Sequence, residues 1–248
     1  MAQQAFLVNQ YNCIGCHACE MGCKQQWQTE LNWRYVRHFE GGRYPNPVRL
    51  YLSLSCQHCE EPLCAQACPT KRYIKRDFAW MAQQPWITIR DGSVSVITTL
   101  GKEYEVPRKL LMAGERFFDD GLVIYNDVSF GEEGHGDYSN HRCILCGLCE
   151  VQCPYHVPRL NDKPTDGYGN RWEKCMGCYP RLQQGLPPVC SQVCMGLALD
   201  MMKLKDLEAD KGLIKEVPGF KYEDTKPCVR FKSLKPALPD NIIETVNL

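Results

Sequence analysis

Residues 13–23 read CIGCHACEMGC, and residues 143–153 read CILCGLCEVQC. Both are C-x2-C-x2-C-x3-C runs, and each is followed by a stretched version of itself. After the first come Cys56, Cys59, Cys64 and Cys68, whose central gap holds four residues; after the second come Cys175, Cys178, Cys190 and Cys194, whose central gap holds eleven. Sixteen of the 17 cysteines fall in these four groups, so the chain is an internal repeat of two halves, each a tight motif followed by a wide one. A short looping backbone directs three closely spaced thiolates onto three irons of one cubane, whereas a fourth thiolate three residues later points to another cluster. The spacing therefore predicts four [4Fe-4S] clusters.

Two other uses of cysteine compete and fit less well. Zinc sites are built from two C-x2-C pairs, not from three close cysteines plus a fourth. A disulfide scaffold needs an oxidising compartment and an even set of thiols. The N-terminus, MAQQAFLVNQ, has no basic n-region, apolar h-region or small-residue cleavage site to route it there. A chain of 248 residues also buries roughly 70 to 75% of its unfolded surface without covalent staples. Charge excludes further classes: 29 Lys and Arg balance 29 Asp and Glu, so no basic surplus points to nucleic acid. Apolar runs such as Ala5 to Val8 and Val94 to Ile97 fall far short of the 18 or so residues of a membrane span.

Spacing alone leaves the partnering of motifs open, but the residue after each last cysteine offers a clue. Pro69 follows Cys68 and Pro154 follows Cys153, as in the C-P ending of bacterial ferredoxins, whereas Lys24 and Met195 follow Cys23 and Cys194. The two proline-ended motifs are thus expected to pair. Cys56, Cys59 and Cys64 would share a cluster with Cys153, and Cys143, Cys146 and Cys149 one with Cys68. The remaining motifs exchange likewise: Cys13, Cys16 and Cys19 with Cys194, and Cys175, Cys178 and Cys190 with Cys23.

Between the halves, WITIRDGSVSVITT carries Asp91-Gly92 between alternating runs, which predicts a β-hairpin. RKLLMAGERFF, from Arg108, is expected to form a helix of three turns, closed by Asp119-Asp120-Gly121 before a strand at LVIYN. GEEGHGDYSN reads as a solvated connection. Helices are expected after several C-x3-C endings, as over Ala18 to Trp27, and LDMMKLKDLEADKGL, beyond Ala198, has helical character. From Pro218 to Leu248, four prolines interrupt any long helix. Phe220, Tyr222, Val229, Phe231 and Leu234 supply apolar side chains with no regular face, so this tail is expected to dock on a partner.

Other residues near the motifs invite a role. His17 and His58 lie between cluster cysteines, where an imidazole could tune a potential, although solvent-facing side chains are the expectation. Lys24, Arg72, Arg142 and Lys174 flank the motifs and either offset the negative clusters or are surface charges. Trp27, Trp33, Trp80, Trp86 and Trp172 are expected to be packing residues, and Cys228, in KPCVRFK, a structural thiol. No GxSxG, HExxH, P-loop or strand-following GxGxxG occurs, so no catalytic residue is assigned and the chain is read as a conductor.

CIGCHACEMGCK from Cys13, YLSLSCQHCEEPLCAQACPT from Tyr51, CILCGLCEVQCPYHVPRLN from Cys143 and KCMGCYPRLQQGLPPVCSQVC from Lys174 together resemble the four-cluster electron-transfer subunits of the molybdopterin oxidoreductases. The likeness is greatest to those of the anaerobic dimethyl sulfoxide reductase type and covers about three quarters of the chain. It implies an α+β fold of two interleaved bacterial-ferredoxin-like modules with an inserted β-rich segment and an extended C-terminal tail. One module would span 1–30 with 170–200, the other 50–76 with 120–160; the insertion would span 77–119, and a helix and partner-binding tail 201–248.

The resemblance also implies a catalytic partner carrying a molybdenum or tungsten bis-pterin, often with a quinone-reactive membrane anchor subunit beyond. The same partnering of motifs, first with fourth and second with third, belongs to it. So does attachment to a membrane through a partner, with export alongside the catalytic subunit or a cytoplasmic location both open. Departures are Met195 where close relatives carry proline, and enlarged stretches from Arg76 to Asp120 and from Ser129 to Ser139. A zinc-stabilised interaction module and a free-standing polyferredoxin are the alternative readings.

Overall fold

The structure is a computed structural model that describes residues 3–126, 143–163, 170–233 and 241–245. Arg142, the connection GEEGHGDYSN, the enlargement from Ser129 to Ser139 and Leu234 lie outside the described residues. In chain order the first elements are β1 (Gln4–Asn9), α1 (Ala18–Trp27), β2 (Arg34–Arg43), β3 (Asn46–Ser55), α2 (Leu63–Ala67), β4 (Tyr73–Lys75) and α3 (Phe78–Ala82). The inserted segment continues with β5 (Ile87–Arg90), β6 (Ser93–Ile97), β7 (Glu103–Glu105), α4 (Arg108–Leu111), β8 (Met112–Ala113) and β9 (Arg116–Phe117). The second half holds β10 (Val123–Tyr125), α5 (Leu148–Val151), β11 (Arg159–Asn161), β12 (Arg171–Glu173), α6 (Tyr179–Gln183), α7 (Val189–Gln192), β13 (Leu199–Lys203), α8 (Leu204–Ala209), β14 (Val229–Lys232) and β15 (Ile243–Thr245).

Two antiparallel pairings organise this mixture of short helices and small sheets. β1, which leads into the first motif, pairs with β13, which leaves the fourth, in the register Gln4↔Lys203 to Val8↔Leu199. β10, ahead of the third motif, pairs with β4, which leaves the second, from Val123↔Lys75 to Tyr125↔Tyr73. Short helices follow the same symmetry: α1 packs on α7 and α2 on α5. Each of these four begins one residue before the third cysteine of its motif, so the helices lie across the C-x3-C segment instead of following it. α1 occupies the expected span and is the only one of the four that runs on past its last cysteine.

The inserted segment departs in part from its sequence reading. β5 and β6 form the expected hairpin, with Arg90↔Ser93 at its end. Asp91 (φ 47) and Gly92 (φ 78) both take left-handed conformations, as a two-residue type I′ turn requires. β7 adds a third strand. The three-turn helix from Arg108 is not formed: one turn ends at Leu111, and Met112–Phe117 turns back as the β8–β9 hairpin through Gly114 (φ 63). Gly114 is where a helix is weakest, and Leu110, Leu111 and Met112 reach the core more directly from this bent chain. Arg76 and Asp120 clamp the two ends of the segment at 2.8 Å, beneath the β4–β10 pair.

Two further expectations are corrected. LDMMKLKDLEADKGL is not one helix, because Leu199–Lys203 is the strand β13 recruited by β1, and only Leu204–Ala209 is helical. The apolar side chains of the tail have a face to bury. β14 runs parallel to β1, from Phe6↔Val229 to Asn9↔Lys232, and Phe220, Val229 and Phe231 are buried in the core containing Phe6, Val8 and Leu199. Before it, Lys226 and Thr225 accept backbone hydrogen bonds from Glu60 and Glu61, and Cys228 N–H donates to Gln57 O, so the tail covers the second motif. Cys228 is fully buried beside Ala5, Leu204 and Leu207. Trp27, Trp33 and Trp80 are core residues, with Trp86 and Trp172 packed at its edge.

Deleting residues 220–248 is therefore expected to destabilise the chain and strip the cover from Cys59, whose thiol is bonded by Thr225. Phe231→Ala alone should cost about 3 to 5 kcal/mol, read by thermal unfolding beside iron content. Unchanged stability in both would mean that the tail is an appendage after all.

Candidate iron-sulfur centre

The strand pairings bring cysteines from opposite ends of the chain together. Cys13, Cys16 and Cys19 line one cavity with Cys194, next to Ser53 and Leu199. Cys56, Cys59 and Cys64 line another with Cys153, next to Lys174 and Thr225. Cys23 lies in the electrostatic field of Cys175, Cys178 and Cys190. Cys149 lies likewise in that of Cys68, Cys143 and Cys146. Neighbouring sets also touch: Cys19 feels Cys190, Cys175 feels Cys56, and Tyr73 feels both Cys149 and Cys64. The four sets thus form a file, and its two exposed cysteines, Cys16 and Cys146, belong to the first and last sets.

Backbone conformation repeats with the motifs. The residue before the second cysteine is left-handed in all four: Gly15 (φ 67), His58 (φ 46), Leu145 (φ 61) and Gly177 (φ 71). This turn aims backbone N–H groups at the sulfur of the first cysteine, as from Gly177 to Cys175 Sγ at 3.3 Å. A second left-handed residue, Lys71, His156 or Leu197, stands three places after the last cysteine of three motifs. The next N–H then points at that cysteine, with Arg72 N to Cys68 Sγ at 3.3 Å and Ala198 N to Cys194 Sγ at 3.2 Å. Cys153 accepts from Val157 in the same way. Cys23 lacks this cap because α1 continues past it.

Buried cations supply the remaining electrostatics. Arg34, 2% exposed, donates to Ser53 Oγ at 3.1 Å and Ser55 Oγ at 2.9 Å, and no carboxylate pairs with it among the described residues. Burial opposes its charge, but Cys190, Cys19, Cys175 and Cys23 outweigh that and hold the guanidinium charged. Ser53, accepting from Arg34, is free to donate to Cys19 Sγ at 3.3 Å. Lys174, 1% exposed, donates to the carbonyls of Val123 and Cys175 and faces Cys64 and Cys153, again with no described carboxylate partner. A buried cation without a counter-ion is costly, so these two fit anionic groups held by the thiols. The all-sulfur donor sets and converging N–H groups fit an iron-sulfur cluster equally well. Among the described residues, no three or more His, Cys, Asp or Glu are placed to hold a single metal ion.

The surface-charge reading of Lys174 and Arg72 is therefore wrong, since both are buried; Lys24 is half-buried. His58 does not face solvent: it is 1% exposed, and burial together with Lys174 and Arg34 keeps it uncharged. His17 is half-buried and bonded to Glu20 and to His38, each at 3.0 Å. Arg34, Ser53, His38 and Tyr73 were not singled out from the sequence. Tyr73, whose hydroxyl lies 3.8 Å from Cys149 Sγ, could have been suspected from its place five residues after Cys68, but Arg34 carries no local signal.

Comparison with known proteins agrees with this geometry. The 4Fe-4S dicluster domain family matches residues 119–204, and the 4Fe-4S binding domain family matches residues 10–26. The B subunit of the anaerobic dimethyl sulfoxide reductase of Escherichia coli (strain K12) is 27% identical over 241 residues, covering 93% of this protein and 88% of the relative. The chain belongs to the family of 4Fe-4S electron-transfer subunits. Other similar proteins are the perchlorate reductase subunit beta of Dechloromonas aromatica (26% identical, 66% of this protein and 32% of the relative) and the formate dehydrogenase iron-sulfur subunit of Haemophilus influenzae (25%, 77% and 48%). As in this family generally, the chain carries electrons and is not itself the catalytic subunit. No helix among the described residues is long and apolar enough to cross a membrane.

Burial pushes the thiols of this 4Fe-4S subunit up, Cys175 to about 11 and Cys149 and Cys178 to about 12, so all three are protonated at neutral pH. Iron is bound by the thiolate, and assembly must release these protons. Raising pH toward 9 should therefore increase iron and sulfide uptake by the cluster-free chain. Uptake independent of pH between 7 and 9 would contradict the assignment of these thiols as ligands.

Proposed function

We propose that the chain holds four [4Fe-4S] clusters in a file and relays single electrons between a molybdopterin catalytic subunit and an external or membrane-bound redox partner. The observation that carries the reading is the grouping of sixteen cysteines into four sets, each with three thiols from one motif and one from another. The ligand sets are Cys13, Cys16, Cys19 and Cys194; Cys175, Cys178, Cys190 and Cys23; Cys56, Cys59, Cys64 and Cys153; and Cys143, Cys146, Cys149 and Cys68. Bound there, each cluster would supply a one-electron couple tuned by hydrogen bonds, charge and exposure. Exchange of the fourth cysteine makes the chain two interleaved ferredoxin-like modules, a reading supported by the matching β1–β13 and β10–β4 pairs.

The protein's own residues shape this path. Cys16 and Cys146 are exposed at its ends, each among exposed apolar side chains: Ile14, Met195 and Leu197 at one, Ile144, Leu145 and Val151 at the other. Apolar surface around an otherwise buried redox path suits docking of a donor and an acceptor. By resemblance the Cys13 end faces the pterin subunit and the Cys143 end faces the other partner, which would attach the complex to a membrane. Arg34 and Lys174 offset negative charge along the middle of the file. A zinc-stabilised module is the weaker reading, because the thiol sets surround cavities without converging at single-ion distance.

Anaerobically purified protein should be brown and contain about sixteen irons with equal sulfide, the content of four cubanes; four zincs in a colourless protein would falsify the reading. A catalytic subunit bearing a pterin should copurify. Cys68→Ser should damage the cluster of Cys143, Cys146 and Cys149 and spare that of Cys56, Cys59 and Cys64. Spectroscopic loss confined to the latter would reject the ligand sets while leaving the cluster count intact.

A further inference from the structure

His58 belongs to the second motif by sequence, but its ring turns toward a thiol of a different set. Its left-handed backbone (φ 46) carries the side chain inward, where it is 1% exposed. Val123 N–H donates to Nδ1 at 3.0 Å, so Nδ1 is the acceptor and the ring proton of the neutral imidazole resides on Nε2. Nε2 lies 3.9 Å from Cys175 Sγ, within reach of an N–H···S hydrogen bond. Gly177 lies against the ring: a Cβ there would come 3.3 Å from Nε2 and 2.7 Å from a Leu122 methyl. The glycine therefore serves the approach of the histidine as well as the turn, and its own N–H donates to the same sulfur.

We infer that His58 is a positioning residue for the neighbouring cluster, donating from Nε2–H to the Cys175 thiolate and holding that one-electron couple at a higher potential. The inference rests on the ligand sets proposed above. Reduction adds negative charge to the cluster, and a fixed donor on a ligand sulfur stabilises the reduced form more than the oxidised one. The neutral ring adds no charge, so its effect is directional and confined to the sulfur it faces. Arg34 and Lys174, the charged groups facing the ring, stay in place in every variant below.

The test is a redox titration of the intact protein or complex, followed by EPR at each cluster, with iron content measured alongside. Cys23→Ser identifies the signal of the set containing Cys175. His58→Leu is expected to lower that couple by three- to tenfold in its reduction equilibrium, on the order of 59 mV at tenfold for one electron, with the other three unmoved. His58→Gln, able to accept from Val123 and donate to Cys175, should recover most of the shift. His58→Asn keeps the acceptor but is too short for the sulfur, and should shift the couple as His58→Leu does, even if the leucine variant does not accumulate. An unmoved Cys175 couple at full iron content, an equal shift of all four couples, or a glutamine variant as low as leucine would overturn the inference. Wild-type protein with fewer than about sixteen irons would instead overturn the cluster reading on which it rests.

Discussion

Long-range closure is the constraint on which the rest of the structure depends. Cys13 and Cys194 stand 181 positions apart, and Cys68 and Cys149 stand 81 apart, yet each pair lies within one thiol set. Closing such loops costs entropy that grows slowly with length, but it must be met before any local contact rewards it. The strands β1 with β13 and β10 with β4 are the means, because each pairs the entry to one motif with the exit from another. These four strands are short, Gln4–Asn9 being the longest, so the sheets alone are small. Metal-thiolate bonds at the same four junctions would supply what these short pairs lack, as in other domains whose folding is coupled to metal binding.

Electrostatics then divides the file into an interior and two ends. Fully buried ions are tolerated only where partners meet them, and Arg34 and Lys174 meet sulfur where carboxylates would ordinarily stand. Both lie among the middle sets, while the first and last sets each carry an exposed cysteine within apolar surface. The middle of the path is screened from water by the inserted segment and by the tail. The first contributes Trp80, Val94, Val96 and Val106 to the core that holds Cys23, Cys56, Cys149 and Cys175, and the second closes over Gln57 and Glu60. These additions, which look like free-standing surface elaborations when read along the chain, are walls of the conducting core.

The candidate site was far more legible than the fold around it. Cysteine spacing reports coordination directly, since the chemistry dictates how many residues separate ligands, and the bounds of α1 and the Asp91-Gly92 turn follow from equally local rules. What was not legible depended on distant partners. Leu199–Lys203 has helical composition but is taken by β1 as a strand, and Val229–Lys232 shows no periodicity until β1 offers its other edge. Arg108–Phe118 breaks at Gly114 because burying Leu110, Leu111 and Met112 outweighs helix propensity. Arg34 is invisible for the same reason: its role is set by four thiols that only the folded chain brings to it.

One backbone position ties the repeat to the differences within it. The residue before the second cysteine is left-handed in every motif, although only Gly15 and Gly177 are free of the cost, ~1 kcal/mol or more, that a side chain pays there. Glycine is required at those two because a Cβ would come 2.4 Å from the Tyr51 ring at Gly15 and 2.7 Å from Leu122 at Gly177. At the other two positions the turn is kept and the side chain is put to use. Leu145 projects outward beside exposed Cys146, adding to the apolar surface at that end of the file, whereas His58 turns inward to the sulfur of the adjoining set. The thiol geometry imposes one backbone conformation four times, and the side chain it carries distinguishes a surface end of the path from a link inside it.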